Sequence, residues 1–376
     1  MKKFVLFLSL VMLFVLSFPA DGVSDDSIKI GMCNVLTGPT GALGVGIKTG
    51  ASVYFDAVNA AGGVNGRKIS LISKDDGYEP ANTVPITNQL IDEEKVFALL
   101  GYVGTPTSKA AVPIASVAGV PFIAPFTGAE AFRNPVNKYV FNVRASYFDE
   151  TEVMVAYLTS KGYKKIGFFG QNDSYGDAGK AGVMKALKKR KLQLFGDARY
   201  ARNTVEVDEA LSQLRIENPD AVIMVGTYKP SAEFIKKAKA AGLKWAFVNI
   251  SFVGTKDLLA ELGNAKEDVM ITEVVPVPTD ASIPIVKQFQ DDMKNAGLQD
   301  QINFTCLEGY IDAVVVVEGL KSAGKNLDRE SFMTALEAMT DLDIGGIKIS
   351  YSATNHQALT YVSLTKVVGG KLQQAK

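Results

Sequence analysis

"VFALLGYVGTPTSKAAVPIASVAGVPFIAPF", residues 96–126, holds two short apolar runs, 96–102 and 120–126, on either side of a segment, 105–119, whose apolar residues recur at helical spacing. A strand, a helix and a second strand in that order form one unit of a parallel sheet, and repetition of the unit places helices on both sheet faces. The turn inside the unit puts Thr105 where a helix N-cap belongs and Pro106 at the first helical position, with Thr107 and Ser108 in the first turn. Free backbone N–H groups at such a start attract a carboxylate, and the helix dipole adds about 0.3–1 kcal/mol. The same residues also suffice for a helix that merely caps itself, so the loop alone leaves both readings open. A phosphate loop is excluded, because no Gly-Lys-Ser/Thr follows.

The alternation continues in both directions. SIKIGMCNVL (27–36) and RKISLISKDD (67–76) read as strands, with helical spacing over 48–63 and 81–95. A second set begins after YVFNVRAS (139–146). Its strands are expected at 164–170, 192–200, 221–227, 245–250 and 269–276, with helices near 148–161, 177–189, 205–216, 230–241 and 255–262. VVPVPTD (274–280) interrupts the rhythm with two prolines. Helices near 281–296, 304–323 and 328–340 follow, and residues 344–371 read as paired strands around a turn. The expectation is an α/β protein of two doubly wound, Rossmann-like lobes joined by a multi-strand hinge. Crossings are expected near 143–147, 274–278 and 341–345, giving lobe one as 27–145 with 277–342 and lobe two as 146–276 with 343–376.

The first 24 residues, MKKFVLFLSLVMLFVLSFPADGVS, carry two lysines, an apolar run from Phe4 to Phe18 and then small and polar residues, the pattern of a secretory signal. Residues 1–22 are expected to be removed, which makes the mature protein exported, soluble and periplasmic. Removal leaves 38 basic and 39 acidic residues. A near-neutral chain lacks the concentrated basic footprint that nucleic acid demands, so no nucleic-acid partner is expected. About 354 remaining residues exceed what one core usually supports, which again favours two lobes.

Enzyme chemistry finds little purchase. His356 is the only histidine, so a histidine triad or a multi-histidine metal site is not expected. Cys33 sits inside a strand and reads as a small buried hydrophobe, and its spacing from Cys306 suggests no metal site. The stretch TGPTGALGVGIKTG (37–50) approaches a dinucleotide fingerprint, but after Gly44 and Gly46 the next glycine, Gly50, is one position late, and Pro39 occupies the turn. Asp75 and Asp76 do end the second strand where a ribose-binding acid would sit, which keeps an NAD-dependent enzyme as the least favoured alternative. No catalytic residue, metal or cofactor is assigned.

Ligands of open parallel sheets collect beyond the carboxyl ends of the strands. That rule selects the loops at 36–44, 76–80, 102–108, 125–128, 171–176, 226–230 and 250–253. Taken in order, IKIGMCNVLTGPTGALG (28–44), YFDAVNAAGGVNGRKISLISKDD (54–76), GVPFIAPFTGA (119–129), NDSYGDAG (172–179), AVIMVGTYKPSAEFIKKAKAAGL (221–243) and EGYIDAV (308–314) resemble the periplasmic branched-chain amino acid binding proteins of ABC importers, of type I periplasmic binding protein fold. The resemblance covers nearly the whole mature chain.

It implies a monomeric receptor that closes two lobes on a small carboxylate or amino acid and delivers it to a membrane permease. The ligand carboxylate would meet Thr105, and further polar contacts would come from Phe126, Thr127 and Gly128. Leu43 would give an apolar contact, Tyr175 and Tyr228 would close from lobe two, and Tyr310 would be a further cleft aromatic. The acid that meets the ligand's ammonium in that family falls at Ser251 in this sequence. Either another acid, such as Asp173 or Glu308, substitutes, or the ligand is a non-amino carboxylate or an amide. A ligand sensor of the same fold is a further alternative.

Overall fold

A computed structural model describes residues 21–375. The expected export signal lies outside the described residues except for Asp21 and Gly22. Among the described residues, no helix is long and apolar enough to cross a membrane.

The first sheet is parallel throughout, with strands β1 (Ser27–Asn34), β2 (Lys68–Asp75), β3 (Ala98–Leu100), β4 (Phe122–Ile123) and β5 (Val140–Phe141) in the order β2-β1-β3-β4-β5. Between them run α1 (Gly41–Ala60), α2 (Pro80–Asn88) and α3 (Thr105–Val117). The chain then forms α4 (Tyr147–Ser160), β6 (Ile166–Gln171), α5 (Ser174–Lys189), β7 (Asp197–Tyr200), α6 (Asp208–Glu217), β8 (Ala221–Val225), α7 (Tyr228–Ala240), β9 (Ala246–Asn249), α8 (Thr255–Leu262) and β10 (Met270–Glu273). After β10 come α9 (Pro284–Asn295), α10 (Phe304–Ala323) and α11 (Arg329–Glu337), a two-stranded ladder of β11 (Leu342–Asp343) with β12 (Lys348–Ile349), and finally β13 (Ser363–Val368) and β14 (Lys371–Gln374).

The second sheet has the order β14-β13-β10-β9-β8-β6-β7. β10 to β7 are parallel, and β13 and β14 join antiparallel at one edge. Their hairpin turns on Gly369 and Gly370, at φ +57° and +75°, values that suit glycine and a primed turn. Strand β8, AVIMV, is buried at every position, as a central strand covered on both faces must be.

Three elements after β10 return to the first sheet. α10 is buried nearly all round and lies along α1 in backbone contact. A Cβ on Gly50 would stand 1.8 Å from the Cys306 carbonyl oxygen, and one on Gly309 would stand 2.2 Å from that of Ile47. Both positions therefore demand glycine.

Four local differences from the sequence reading bear on the site. Helix α1 begins at Gly41, ahead of the expected 48, because Gly44 lets its first turn lie on the end of β1: a Cβ there would be 1.9 Å from the Val35 carbonyl oxygen. Leu43 is thus a helical residue. Thr105 is the first residue of α3 and Gly104, at φ +104°, takes the N-cap position expected of Thr105. A Cβ on Gly104 would meet the Tyr78 ring at 2.6 Å.

β5, only two residues long, was not among the expected strands and lies just ahead of the first crossing expected near 143–147. The third crossing lies later than 341–345. Gly345 accepts from the Ile285 amide, Tyr351 packs on Phe141, and His356 stacks on Phe141 at 4.0 Å with its Nδ1 2.9 Å from the Val140 carbonyl oxygen. These contacts keep residues 345–356 on the first-sheet side, so the chain passes over between Gln357 and β13. There Ala358 and Leu359 donate to the carbonyls of Asn142 and Val143, laying the third passage beside the first.

Candidate functional site

The carboxyl-end loops of the two sheets touch. The Ala42 amide, on α1, lies 3.5 Å from the Tyr228 hydroxyl oxygen at the start of α7, and a Cβ on Gly254 would be 2.6 Å from the Leu43 side chain. Phe252, in the loop after β9, packs on Phe126 with ring centres 5.0 Å apart, on Tyr175 at 4.5 Å and on Tyr78 at 6.5 Å. Tyr147 completes this wall 5.7 Å from Tyr175. All five rings are buried.

Hydroxyls line one side of the wall. Thr105 and Thr127 place their Oγ1 atoms 2.7 Å apart, and Thr127 lies 3.3 Å from the Tyr147 hydroxyl oxygen. The Ala129 amide donates to Thr127 Oγ1 at 3.2 Å. Gly128 allows this convergence, since a Cβ there would strike Tyr147, whose amide donates to the Gly128 carbonyl at 2.7 Å. Tyr175 is held by α5, which Asp173 caps by accepting from the amides of Tyr175 and Gly176. Its hydroxyl donates to the Gly226 carbonyl at 3.2 Å.

At the base of this wall lies a charged cluster. Arg144, 2% exposed, sets its guanidinium 4.6 Å over the Phe126 ring and donates through Nη2 to the Ser251 hydroxyl. Its Nε stands 3.4 Å from Glu308 Oε1 and its Nη2 3.8 Å from Glu150 Oε1. Glu150 Oε2 accepts from the Ser251 amide at 2.9 Å and the Thr272 hydroxyl at 2.5 Å.

Burial works against the Arg144 charge, but Glu308 and Glu150 hold its pKa above the ordinary value. Burial pushes the Glu308 carboxyl up to about 7 against the pull of Arg144. Glu273 and Asp312, buried nearby, are pushed well above the usual carboxylate range for the same reason. The cluster is fixed locally by Ser146 and Asp149, which form a capping box at the start of α4 and so anchor the passage carrying Arg144.

The two sheets are also clasped at the rim. From the end of β7, Arg202 donates to the Tyr78 carbonyl, lies 4.3 Å over the Tyr78 ring and pairs with Asp173 at 2.6 Å. Asn203 Nδ2 donates to the Gly77 carbonyl at 3.2 Å and to the Glu79 carboxylate.

Of the residues singled out from sequence, Leu43, Thr105, Phe126, Thr127, Gly128, Tyr175, Tyr228 and Ser251 lie along this junction. Tyr310 lies elsewhere. Its ring packs between Tyr54 and Phe289, at 4.8 and 5.3 Å, and its hydroxyl donates to Asp292 at 2.6 Å, inside the helical layer of α1, α9 and α10. Asp173 is occupied by its cap and by Arg202. Arg144, Tyr147, Glu150 and Phe252 were not singled out. The signal for Arg144 was a lone cation inside the otherwise apolar and small-residue run YVFNVRAS.

Comparison with known proteins gives a consistent answer. A family model described as periplasmic binding protein matches residues 27–371. The leucine-, isoleucine-, valine-, threonine- and alanine-binding protein of Pseudomonas aeruginosa is 25% identical over 337 residues, 87% of this chain and 86% of that protein. A crystal structure described as a possible leucine/isoleucine/valine-binding protein from Rhodopirellula baltica is 37% identical, covers 96% of this chain and 98% of its own, and superposes with a TM-score of 0.90. A substrate-binding periplasmic protein from Ralstonia solanacearum is 28% identical, with coverage of 93% and 100% and a TM-score of 0.88.

Proposed function

The chain belongs to the periplasmic binding protein family, and from that premise we propose that it is an extracytoplasmic solute receptor of an ABC importer. Its ligand is a small carboxylate-bearing molecule of the branched-chain or hydrophobic amino acid class, taken up between the lobes and handed to a membrane permease. The observation that carries this reading is the junction itself. Aromatic rings from both sheets, Phe126, Tyr147, Tyr175 and Phe252, pack around a hydroxyl pair, Thr105 and Thr127. An apolar wall beside strand-end hydroxyls and amides suits a small molecule with an apolar body and one carboxylate. The names of the relatives support the same class.

The mechanism is hinge closure. Lobe one is read as 27–145 with the returning helices up to about 356, lobe two as 146–276 with the C-terminal hairpin, and the three passages between them form the hinge. A ligand that touches both lobes favours the closed form by its differential affinity for that form. The residues at the junction are those of a grip and not of a reaction, which supports a receptor without turnover, acting as an exported monomer.

The test is to unfold the purified protein and identify the released small molecule by mass spectrometry, then titrate amino acids and their deaminated analogues by calorimetry. An aliphatic or aromatic carboxylate bound reversibly is the expected result. Absence of binding across such a panel would overturn the reading. A deaminated acid is the second reading, favoured by the Arg144 guanidinium at Ser251.

A further inference from the structure

An amino acid carries an ammonium as well as a carboxylate, and the receptor reading above leaves open which group of this chain meets it. The loop after β9 offers a hydroxyl, Ser251, already engaged by Arg144. The acids of the neighbourhood differ in what they have left to give. Asp173 accepts from two amides and pairs with Arg202. Glu150 spends Oε2 on Ser251 and Thr272 and keeps only Oε1, 3.8 Å from Arg144 Nη2, without a hydrogen bond, and Glu273 accepts from the Thr255 hydroxyl at 2.7 Å. Glu308 is 5% exposed and hydrogen-bonds to no described residue; only Oε1 faces Arg144, at 3.4 Å. Arg144 in turn leaves Nε and Nη1 without hydrogen bonds although both are buried. A buried carboxylate and a buried guanidinium with unused capacity, one contact from Phe126 and Ser251, form an incomplete polar network, and such a network is costly until something completes it.

Resting on the amino acid reading of the cleft, we propose that Glu308, borne on α10 of lobe one, is the residue that receives the ligand's ammonium, with Arg144 holding the Glu308 carboxylate in position. Arg144 and Arg133 face Glu308 together with Glu150 from α4, Glu273 from β10 and Asp312 one turn along α10. An ammonium supplies the hydrogen-bond donors that the Glu308 carboxyl lacks, which a keto or aromatic acid cannot do. The ligand class that completes the network is therefore a zwitterion, an α-amino acid with an apolar side chain. Because Glu308 has a pKa of about 7 before binding, receiving the ammonium expels a proton, and affinity rises with pH through neutrality.

The experiment compares wild type, Glu308→Gln and Glu308→Asp by calorimetry against the twenty amino acids, the α-keto acids of leucine, isoleucine, valine and phenylalanine, and benzoate. In wild type an amino acid is expected to bind, its keto acid about 10- to 150-fold more weakly, the span that a charge-assisted hydrogen bond supports. Glu308→Gln should lose affinity for the amino acid by the same factor while leaving the keto acid unchanged, and Glu308→Asp should fall between. Thermal melts within a few degrees of wild type establish that the variants fold. Proton release on binding, read as a difference in heat between two buffers of unlike ionisation enthalpy, should vanish in Glu308→Gln. Binding of deaminated acids alone, or full amino acid affinity in Glu308→Gln, overturns the assignment and leaves the receptor standing. No binding of any compound by wild type overturns both.

Discussion

Arg202 reaches from the end of β7 to the backbone carbonyl of Tyr78 beyond β2, and its guanidinium lies 4.3 Å over the Tyr78 ring. One side chain thus ties the strand ends of the second sheet to those of the first without passing through the Phe126, Tyr175 and Phe252 wall.

Loss of this tie should favour the open form. Arg202→Ala removes a charge-assisted hydrogen bond and a cation–π contact between lobes, together about 1–2 kcal/mol of closed-state preference. Ligand affinity is expected to fall about 5- to 30-fold. Small-angle scattering of the unliganded variant should give a larger radius of gyration than wild type, and equal radii and affinities would remove Arg202 from the closure mechanism.

Thr105→Val keeps the shape of the side chain and deletes the hydroxyl that meets Thr127 at 2.7 Å. A carboxylate held at this helix start should bind about tenfold or more weakly. Titration by calorimetry checks it, and unchanged affinity would take Thr105 out of the ligand's reach.

The Glu308 carboxyl gives a pH signature. Its pKa is raised by burial from 4.5 to about 7, so the folded state binds the extra proton between those values. Its favourable contribution is present below about pH 4.5 and is lost as pH rises through about 7, up to about 3 kcal/mol in all. Glu273 and Asp312, also raised, act in the same direction. Melting temperature of the unliganded protein should fall between pH 5 and pH 8, and Glu308→Gln should flatten that fall. A wild-type profile rising over the same window would contradict the burial of these acids.

Gly309→Ala probes the seam between α1 and α10. The new methyl would stand 2.2 Å from the Ile47 carbonyl oxygen, which is backbone and cannot swing aside. A loss of about 1–3 kcal/mol is expected, as for other overpacked cores, seen as a lower urea midpoint.

The sequence made the strand-end loops legible because the alternation of apolar runs and helical spacing locates them without any knowledge of packing. Those loops hold Leu43, Thr105, Phe126, Thr127, Tyr175, Tyr228 and Ser251, but apart from Thr105 it is the resemblance to the branched-chain amino acid binding proteins that picks these residues out of each loop. Arg144, Tyr147 and Glu150 escape the rule. They sit on the passage between lobes and on the first turn of α4, and only the meeting of the first and third passages, far apart in the chain, shows that this stretch lies beneath the aromatic wall. Tyr310 shows the opposite difficulty. α10 is apolar on every side, so periodicity does not tell which face a given residue presents, and its position in the fold put it between Tyr54 and Phe289. The short β5 and the late third passage were obscured because two-residue strands and irregular loops carry no period.

The seating of α10 on α1 imposes an order of assembly. The helix that covers one face of the first sheet comes from residues 304–323, and the edge hairpin of the second sheet from residues 363–374. The five strands of the first sheet are all in place by residue 141, but the second sheet lacks its edge, and α1 its partner α10, until nearly the entire polypeptide has been made, so a chain stalled short of α10 would display an uncovered apolar surface on α1.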